Sequence, residues 1–165
     1  MSNSTNNRRI LIVYYTQSGN SKFVAETIAQ EIKADTLEIK TKKSLPKSTF
    51  FKLFVGGMQV VFKIKPDLLP VDKKPMDYDM VIIGTPVWAS SFASPFNTFF
   101  SQIDIKGKKI ALYCCYGGSK GKTFDNMKNV LNGNQFIGEL EIKSPLEDKS
   151  EGIRRIKEWV KTINI

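Results

Sequence analysis

Residues 10–15 read Ile-Leu-Ile-Val-Tyr-Tyr, and the next six residues, 16–21, read Thr-Gln-Ser-Gly-Asn-Ser. The first run is continuously apolar, which is typical of a strand that is buried on both faces of a sheet. Two more runs of this kind follow, Met80 to Gly84 and Ile110 to Cys115. Three such strands indicate the centre of a parallel sheet, because helices then cover both of its faces.

Two further runs, 36–40 and 136–142, alternate apolar and polar residues, as edge strands do. Helical stretches join the strands over 20–33, 94–103, 119–131 and 149–163. In the last stretch the apolar residues that share one side are Ile153, Ile156, Val160 and Ile163. The alternation predicts a three-layer α/β/α fold around a five-stranded parallel sheet of order 2-1-3-4-5. Such a sheet binds ligands at the carboxyl ends of its strands, where the strand order reverses.

The length of 165 residues fits one domain, so we expect a single domain over 1–165, with 1–8 as a flexible N-terminal tail. Residues 49–64 form an apolar segment that has no clear polar face and contains a glycine pair, Gly56 and Gly57. Two interpretations remain open for this segment. It is either a buried crossover helix or an exposed apolar patch, and a patch over 50–64 would make a homodimer contact.

The chain contains no histidine, and its two cysteines, Cys114 and Cys115, are adjacent. The absence of histidine excludes Ser-His-Asp triads, Cys-His pairs and imidazole metal sites. Neighbouring cysteines are poorly placed for a mutual disulfide, and Cys115 is expected to be a small core residue rather than a redox group. We therefore predict no metal site and no catalytic residue, in a cytoplasmic protein without a signal peptide or membrane span.

Basic residues outnumber acidic ones by 25 to 16, which gives a net charge of +9. A positive charge of this size favours solubility and a weak attraction to anionic partners. No recognised nucleic-acid-binding motif accompanies the charge, so a specific nucleic-acid partner is not expected.

The first candidate loop, residues 16–21, follows the first predicted strand and opens a helix. Its hydroxyls, amides and backbone N–H groups, together with the helix dipole, suit a phosphate group. A helix N-cap alone would also account for Ser18 or Asn20. The loop is neither a Walker loop nor a dinucleotide fingerprint, because the Gly-Lys-Ser/Thr ending and the G-x-G-x-x-G pattern are absent.

Two aromatic loops follow the other central strands. Residues 84–91 contain Trp88, whose flat face either stacks on a planar ligand or caps the core. The loop after the fourth predicted strand places Tyr116 before Gly117 and Gly118, and this glycine pair lets the backbone approach a ring closely. All three loops should converge at one edge of the sheet, where they suit a phosphorylated planar cofactor.

The segment YTQSGNS, residues 15–21, resembles the phosphate loop of the flavodoxin family, and GTPVWA, residues 84–89, resembles the loop after the third strand in a flavodoxin-like subgroup. The similarity extends over nearly the whole chain, and it implies a flavodoxin-like fold that binds flavin mononucleotide (FMN). The resemblance assigns the flavin phosphate to Thr16, Gln17, Ser18, Gly19, Asn20 and Ser21. It assigns the isoalloxazine to Thr85, Pro86, Val87, Trp88 and Ala89 on one side and to Tyr116, Gly117 and Gly118 on the other.

The resemblance further implies a redox protein for electron transfer, with a redox partner protein or a small-molecule acceptor. Two alternatives are an NAD(P)H-dependent FMN reductase of quinones or similar small acceptors, and a cofactor-free binding module on the same fold. Typical carriers of the family are acidic, whereas this chain is basic and has Lys120 where an acidic cluster is usual. From Lys120 and Lys122 we expect a less negative potential for the second reduction step than in acidic flavodoxins.

Overall fold

A computed structural model describes residues 8–43 and 49–163, and for 49–54 it describes the backbone. Apart from residue 8, the predicted N-terminal tail lies outside the described residues, as do the side chains at the start of the apolar segment 50–64. The strands are β1 (Ile10–Tyr14), β2 (Asp35–Glu38), β3 (Met80–Trp88), β4 (Ser91–Phe92), β5 (Lys109–Tyr116) and β6 (Gln135–Lys143). The helices are α1 (Asn20–Ile32), α2 (Thr49–Val61), α3 (Pro95–Gln102), α4 (Thr123–Val130) and α5 (Lys149–Thr162), with a 3₁₀ turn at Pro75–Asp77.

The main sheet is parallel and has the order β2-β1-β3-β5-β6. With the two-residue strand β4 left out, this is the predicted order 2-1-3-4-5, so the predicted fold is confirmed. Among the described residues, no helix has the length and apolar character that crossing a membrane requires.

Neighbouring residues of each central strand face opposite sides of the sheet, which explains their continuous apolar runs. In β1, Leu11 and Val13 face a cluster with the aromatic residues of α3 and α4. Ile12, between them, faces a second cluster that contains residues of α1 and α5. The two clusters are the two cores of the three-layer fold, one on each face of the sheet.

The sequence expectation was wrong for the region after Gly84, where a loop was predicted. The strand β3 continues to Trp88, and its last residues pair antiparallel with β4, with Val87 opposite Phe92 and Trp88 opposite Ser91. The turn of this hairpin has left-handed backbone at Ala89 (φ 44°) and Ser90 (φ 60°). Hairpin turns of this kind usually contain Asn-Gly or Asp-Gly, and neither pair occurs at residues 89–90, so no sequence signal marked the turn.

The predicted apolar side of α5 needs one correction. Ile156, Val160 and Ile163 are buried, but Ile153 is 37% exposed. The buried residue in that turn is Gly152, which lies against Phe23 of α1 and Pro145. The helix approaches α1 too closely at this point for a large side chain to fit between them.

The apolar segment combines features of both interpretations. Gly56 of α2 is buried, but Met58, Val61, Phe62 and Ile64 are between 43% and 69% exposed. The end of the segment is therefore an exposed apolar patch, which we call the 58–64 patch.

Gly84 lies beneath the ring of Tyr113, so a larger residue has no room there. A Cβ atom at Gly84 would be 1.8 Å from Tyr113 Cζ. We expect Gly84→Ala to lower the free energy of unfolding by about 2–3 kcal/mol, since overfilling a packed core typically costs 1–3 kcal/mol. Denaturant unfolding measures the change.

The control is Gly57→Ala in α2, where no described atom lies within 4 Å of the new Cβ. This change should raise the free energy of unfolding by up to about 1 kcal/mol, because alanine favours helix over glycine. A Gly84→Ala variant as stable as the parent would mean that the ring of Tyr113 can move aside at little cost.

Candidate functional site

The structure brings the three predicted loops together at the carboxyl edge of the sheet. Tyr15, at the start of the first loop, donates its backbone N–H to the Gly84 carbonyl at 3.2 Å, which places this loop beside the end of β3. Residues after β6 connect the first and third loops: the Ser144 N–H bonds to the Tyr116 carbonyl at 2.9 Å. Two residues later, the Leu146 N–H bonds to Asn20 Oδ1 at 3.1 Å.

The first loop, residues 15–21, turns sharply into α1, and below it is called the phosphate loop after the family segment that it resembles. Gly19 has left-handed backbone (φ 90°) at the N-cap position, and its N–H donates to Thr16 Oγ1 at 3.1 Å. Asn20 Nδ2 donates to Ser18 Oγ at 3.0 Å. In the described structure no side chain caps the helix, and its first turn contains no acidic residue. The first N–H groups of α1 are therefore available to an anion.

Two polar side-chain atoms of the phosphate loop are buried and have no hydrogen-bond partner among the described residues. They are Gln17 Nε2 and Ser21 Oγ. Ser21 Oγ lies near the Cys115 thiol and lowers the pKa of that thiol, against the larger effect of burial, but the geometry is not that of a good hydrogen bond. Buried donors without partners are costly and rare, so these two groups indicate that the loop is completed by a polar ligand.

In the second loop, the Thr85 hydroxyl is used within the protein. Thr85 is fully buried, accepts a hydrogen bond from the Ala93 N–H at 3.0 Å and donates to the Pro86 carbonyl at 2.9 Å. These bonds fasten β3 to the chain after β4. Pro86 and Val87 are half-buried on the same strand, beside the end of β5.

Trp88 is 8% exposed and belongs to the core cluster that α3 and α4 cover. Its indole meets the Tyr15 ring edge-to-face, with centroids 5.6 Å apart. Gly56 of α2 lies over the indole, because a Cβ at that position would be 3.4 Å from Trp88 Cδ2. Trp88 thus makes the contacts expected of a residue that caps the core. Its contact with a planar ligand stays a prediction.

The Ala89–Ser90 turn is held by α4 and by the segment before it, contacts that sequence reasoning missed. The Lys122 N–H donates to the Ser90 carbonyl at 2.9 Å, and Asn126 Nδ2 donates to Ser91 Oγ at 2.9 Å. A Cβ at Gly121 would be 2.4 Å from Ser90 Cβ, so this glycine makes the contact possible. Left-handed backbone at a non-glycine residue costs about 1–3 kcal/mol, and these contacts offset that cost.

The third loop leaves its glycines open. Tyr116 is half-buried at the end of β5, whereas Gly117 and Gly118 are exposed and have no described atom within 4 Å of an added Cβ. Lys120 forms an ion pair with Glu141 at 2.6 Å, and its ammonium lies 5.6 Å from the centroid of the Phe124 ring. We expected Lys120, as a free positive charge, to make the potential of the second reduction step less negative. Because Lys120 is paired with Glu141, its contribution to that potential is smaller than expected.

Both cysteines are buried at the end of β5, next to the three loops. Burial raises the pKa of the Cys114 thiol and of the Cys115 thiol to about 12. Cysteine reacts as the thiolate, so neither residue has the character of a redox or nucleophilic group near neutral pH.

We expect both thiols of the folded protein to resist an aromatic disulfide reagent at pH 8. A thiol with a pKa of about 12 is about one part in ten thousand thiolate at that pH, against roughly a quarter for an unperturbed cysteine. Labelling should be at least a hundredfold slower than in denaturant, where two thiols per chain react. Fast labelling of the folded chain, with the fold verified by circular dichroism, would contradict the burial of these residues.

Comparisons with known proteins agree with this geometry. The family described as Flavodoxin matches residues 9–163. An uncharacterized protein of Archaeoglobus fulgidus is 29% identical over 156 residues, which are 91% of this chain and 97% of the relative.

Two solved structures have the same fold. A Lactobacillus acidophilus flavoprotein, solved in complex with FMN, is 25% identical, with a TM-score of 0.72 over 92% of this chain and 98% of that chain. A proposed flavoprotein of Bacteroides uniformis has a TM-score of 0.80 at 18% identity, over 93% of this chain and 98% of that chain.

Proposed function

This chain belongs to the flavodoxin family, and from that premise we propose that it binds FMN and transfers electrons with it. The observation that carries the proposal is the phosphate loop, in which Gln17 Nε2 and Ser21 Oγ are buried without partners at an uncapped helix N-terminus. A phosphate group would supply acceptors for Gln17, for Ser21 and for the first N–H groups of α1. The family relation and the FMN complex of the Lactobacillus acidophilus flavoprotein support the same cofactor.

Each residue of the phosphate loop has a definable task in this proposal. Gly19 provides the left-handed turn that aims the helix N-terminus at the ligand, and Thr16 fixes that turn by accepting the Gly19 N–H. Asn20 orients Ser18 and holds the chain after β6 through the Leu146 N–H. Gln17, Ser18 and Ser21 then act as side-chain donors to the phosphate.

The flavin ring is proposed to lie between the second and third loops. The strand end Thr85–Ala89 would provide one side, and Tyr116 with the open backbone of Gly117 and Gly118 would provide the other. Bound FMN supplies the redox chemistry, since a flavin accepts and donates one or two electrons. The contribution of the chain is to hold the ring and to set the electrostatics around it.

We propose electron transfer rather than an acid–base reaction as the activity. The chain has no histidine, and burial keeps the Cys114 and Cys115 thiols protonated by raising each pKa to about 12. Tyr113 and Tyr15, two buried phenols beside the loops, also have pKa values that burial raises above the usual value. These groups are poor proton donors or acceptors at pH 7, which favours a carrier over a reductase that must move protons.

The experiment that tests cofactor binding is a titration of flavin-free protein with FMN, riboflavin and FAD. We expect one FMN per chain and a clear preference for FMN, because a terminal phosphate would give acceptors to the unpartnered groups of the phosphate loop and riboflavin has no phosphate. Asn20→Asp should weaken FMN binding at least tenfold and leave riboflavin binding nearly unchanged. Two like charges about 6 Å apart repel by roughly 3 kcal/mol at an effective dielectric of 20.

The matched control is Asn132→Asp, the same change at an exposed position in the turn between α4 and β6. It should alter neither affinity. The Asn20→Asp carboxylate can still accept the Leu146 N–H, and a negative charge favours a helix N-terminus, so a folding defect is not expected. Equal affinities of the parent protein for FMN and riboflavin would contradict the proposal that this loop binds the FMN phosphate.

We further propose that the 58–64 patch forms a contact between two copies of the chain. Met58 and Phe62, which are 43% and 66% exposed, form this contact, whereas Val61 belongs to the lining of a neighbouring groove. Exposed apolar patches commonly mark interaction sites. Sedimentation velocity should show a dimer that Phe62→Asp converts to monomer, while Met76→Asp, at a 45% exposed residue elsewhere on the chain, has no effect. A monomeric parent protein at all concentrations would contradict this contact.

A further inference from the structure

A groove of about 430 Å³ lies between the end of α2, the β3–β4 hairpin and α4. Its volume is within the range of small-molecule sites, which is about 300–1,000 Å³. We call it the α2–α4 groove. Ala89, at the tip of the hairpin, is among its lining residues. The groove therefore adjoins the proposed flavin site and is not part of the phosphate loop.

The walls of the α2–α4 groove are apolar on three sides. Val61 comes from α2, Phe92 from β4 and Val130 from the end of α4. Val61 and Val130 are 69% and 51% exposed, whereas Phe92 is 6% exposed. An apolar ligand body would cover the two exposed valines and lie against a fixed aromatic side chain, which is favourable because apolar surface leaves water.

Polar side chains make up the other half of the described lining, and two of its three asparagines are held by hydrogen bonds. Asn97 Nδ2 donates to the Ile64 carbonyl at 3.2 Å, and Asn126 Nδ2 donates to Ser91 Oγ at 2.9 Å. Each amide nitrogen has two hydrogens, so each of these side chains keeps a second N–H for a ligand. The left-handed turn at Ala89 and Ser90 is pinned against Gly121, which keeps this wall in place.

The charge of the groove has one sign. Lys63 is the ionised side chain in its described lining, and no carboxylate lies among those described residues. Asp125, in the first turn of α4, is outside the lining, and Lys122 follows the glycine that packs on the hairpin. A groove that combines apolar walls with amide donors and one cation is complementary to a molecule with an apolar body, a polar edge and one anionic group.

We propose that the α2–α4 groove binds a small aromatic acid, with its rings against Val61, Phe92 and Val130 and its carboxylate at Lys63. The amides of Asn97 and Asn126 donate to the polar edge of the same molecule. This site adjoins the proposed FMN site at Ala89, and the proposal does not depend on FMN binding.

The test uses the ¹⁵N-labelled full chain, both flavin-free and loaded with FMN, and the probe 2-naphthoate. The side-chain amide signals of Asn97 and Asn126 and the backbone signals of Ser91 and Phe92 should shift together and saturate. The neutral analogue 2-naphthamide should bind at least fivefold more weakly, because it lacks the charge that Lys63 attracts.

Lys63→Asn should remove this difference between acid and amide. Its matched control is Lys33→Asn, because Lys33 ends α1 with the same left-handed backbone (φ 54° against 49° at Lys63) and asparagine tolerates that conformation. The control should keep the fivefold preference. In a second pair, Val130→Asp should weaken both probes at least tenfold, and Ile153→Asp, at an exposed apolar residue of α5, should weaken neither.

Several results would overturn the proposal. They are equal affinity of the parent for acid and amide, shifts confined to residues outside the groove, and displacement of 2-naphthoate by FMN, which would place the probe in the flavin site. A dimer that Val130→Asp dissociates would make the groove a subunit interface instead. If FMN does not bind, the titration of the flavin-free chain with 2-naphthoate still tests the groove. Failure of the FMN proposal can therefore be told apart from failure of the groove proposal.

Discussion

The phenol of Tyr113 extends from β5 over Gly84 and donates a hydrogen bond of 2.8 Å to the Ser21 carbonyl in the first turn of α1. This contact joins the centre of the sheet to the end of the phosphate loop, and it is possible because residue 84 has no side chain. Both the Tyr113 ring and Ser21 are buried, so the bond is shielded from water. The direction of α1, and with it the aim of its N-terminal N–H groups, depends on this contact.

The rest of the site edge is built from short contacts between loops. Tyr15 joins the phosphate loop to β3 through its backbone and to Trp88 through its ring. The chain after β6 joins Tyr116 to Asn20, and the chain before α4 holds the β3–β4 hairpin at Ser90. These bonds join loops that follow different strands. They therefore hold the loops in position around Gln17 and Ser21, whose buried polar atoms lack partners in the described structure. Such preorganisation lowers the cost of ordering a ligand.

The net charge of +9 does not describe the charge near the candidate site, because two lysines there are paired with carboxylates. On α4 and the loop before it, lysines pair with acidic residues of the edge strand: Lys120 with Glu141 and Lys128 with Glu139. The charge of Lys120 next to the third loop is thereby compensated, while Lys63 stands in a groove whose described lining has no acid. The local electrostatics thus depend on which lysines meet a carboxylate across the fold, and a sum along the chain does not show this.

Periodicity and loop chemistry in the sequence were sufficient for the sheet order, for four helices and for the convergence of three loops, because each central strand is apolar throughout and each loop follows a strand end. The resemblance of residues 15–21 and 84–89 also indicated the family. Only the tertiary structure decided that β3 runs on to Trp88, since the turn at Ala89 and Ser90 depends on distant contacts with Gly121 and Asn126. It likewise decided that Gly152, and not Ile153, faces α1, because the space left by Phe23 and Pro145 is set by how two helices pack.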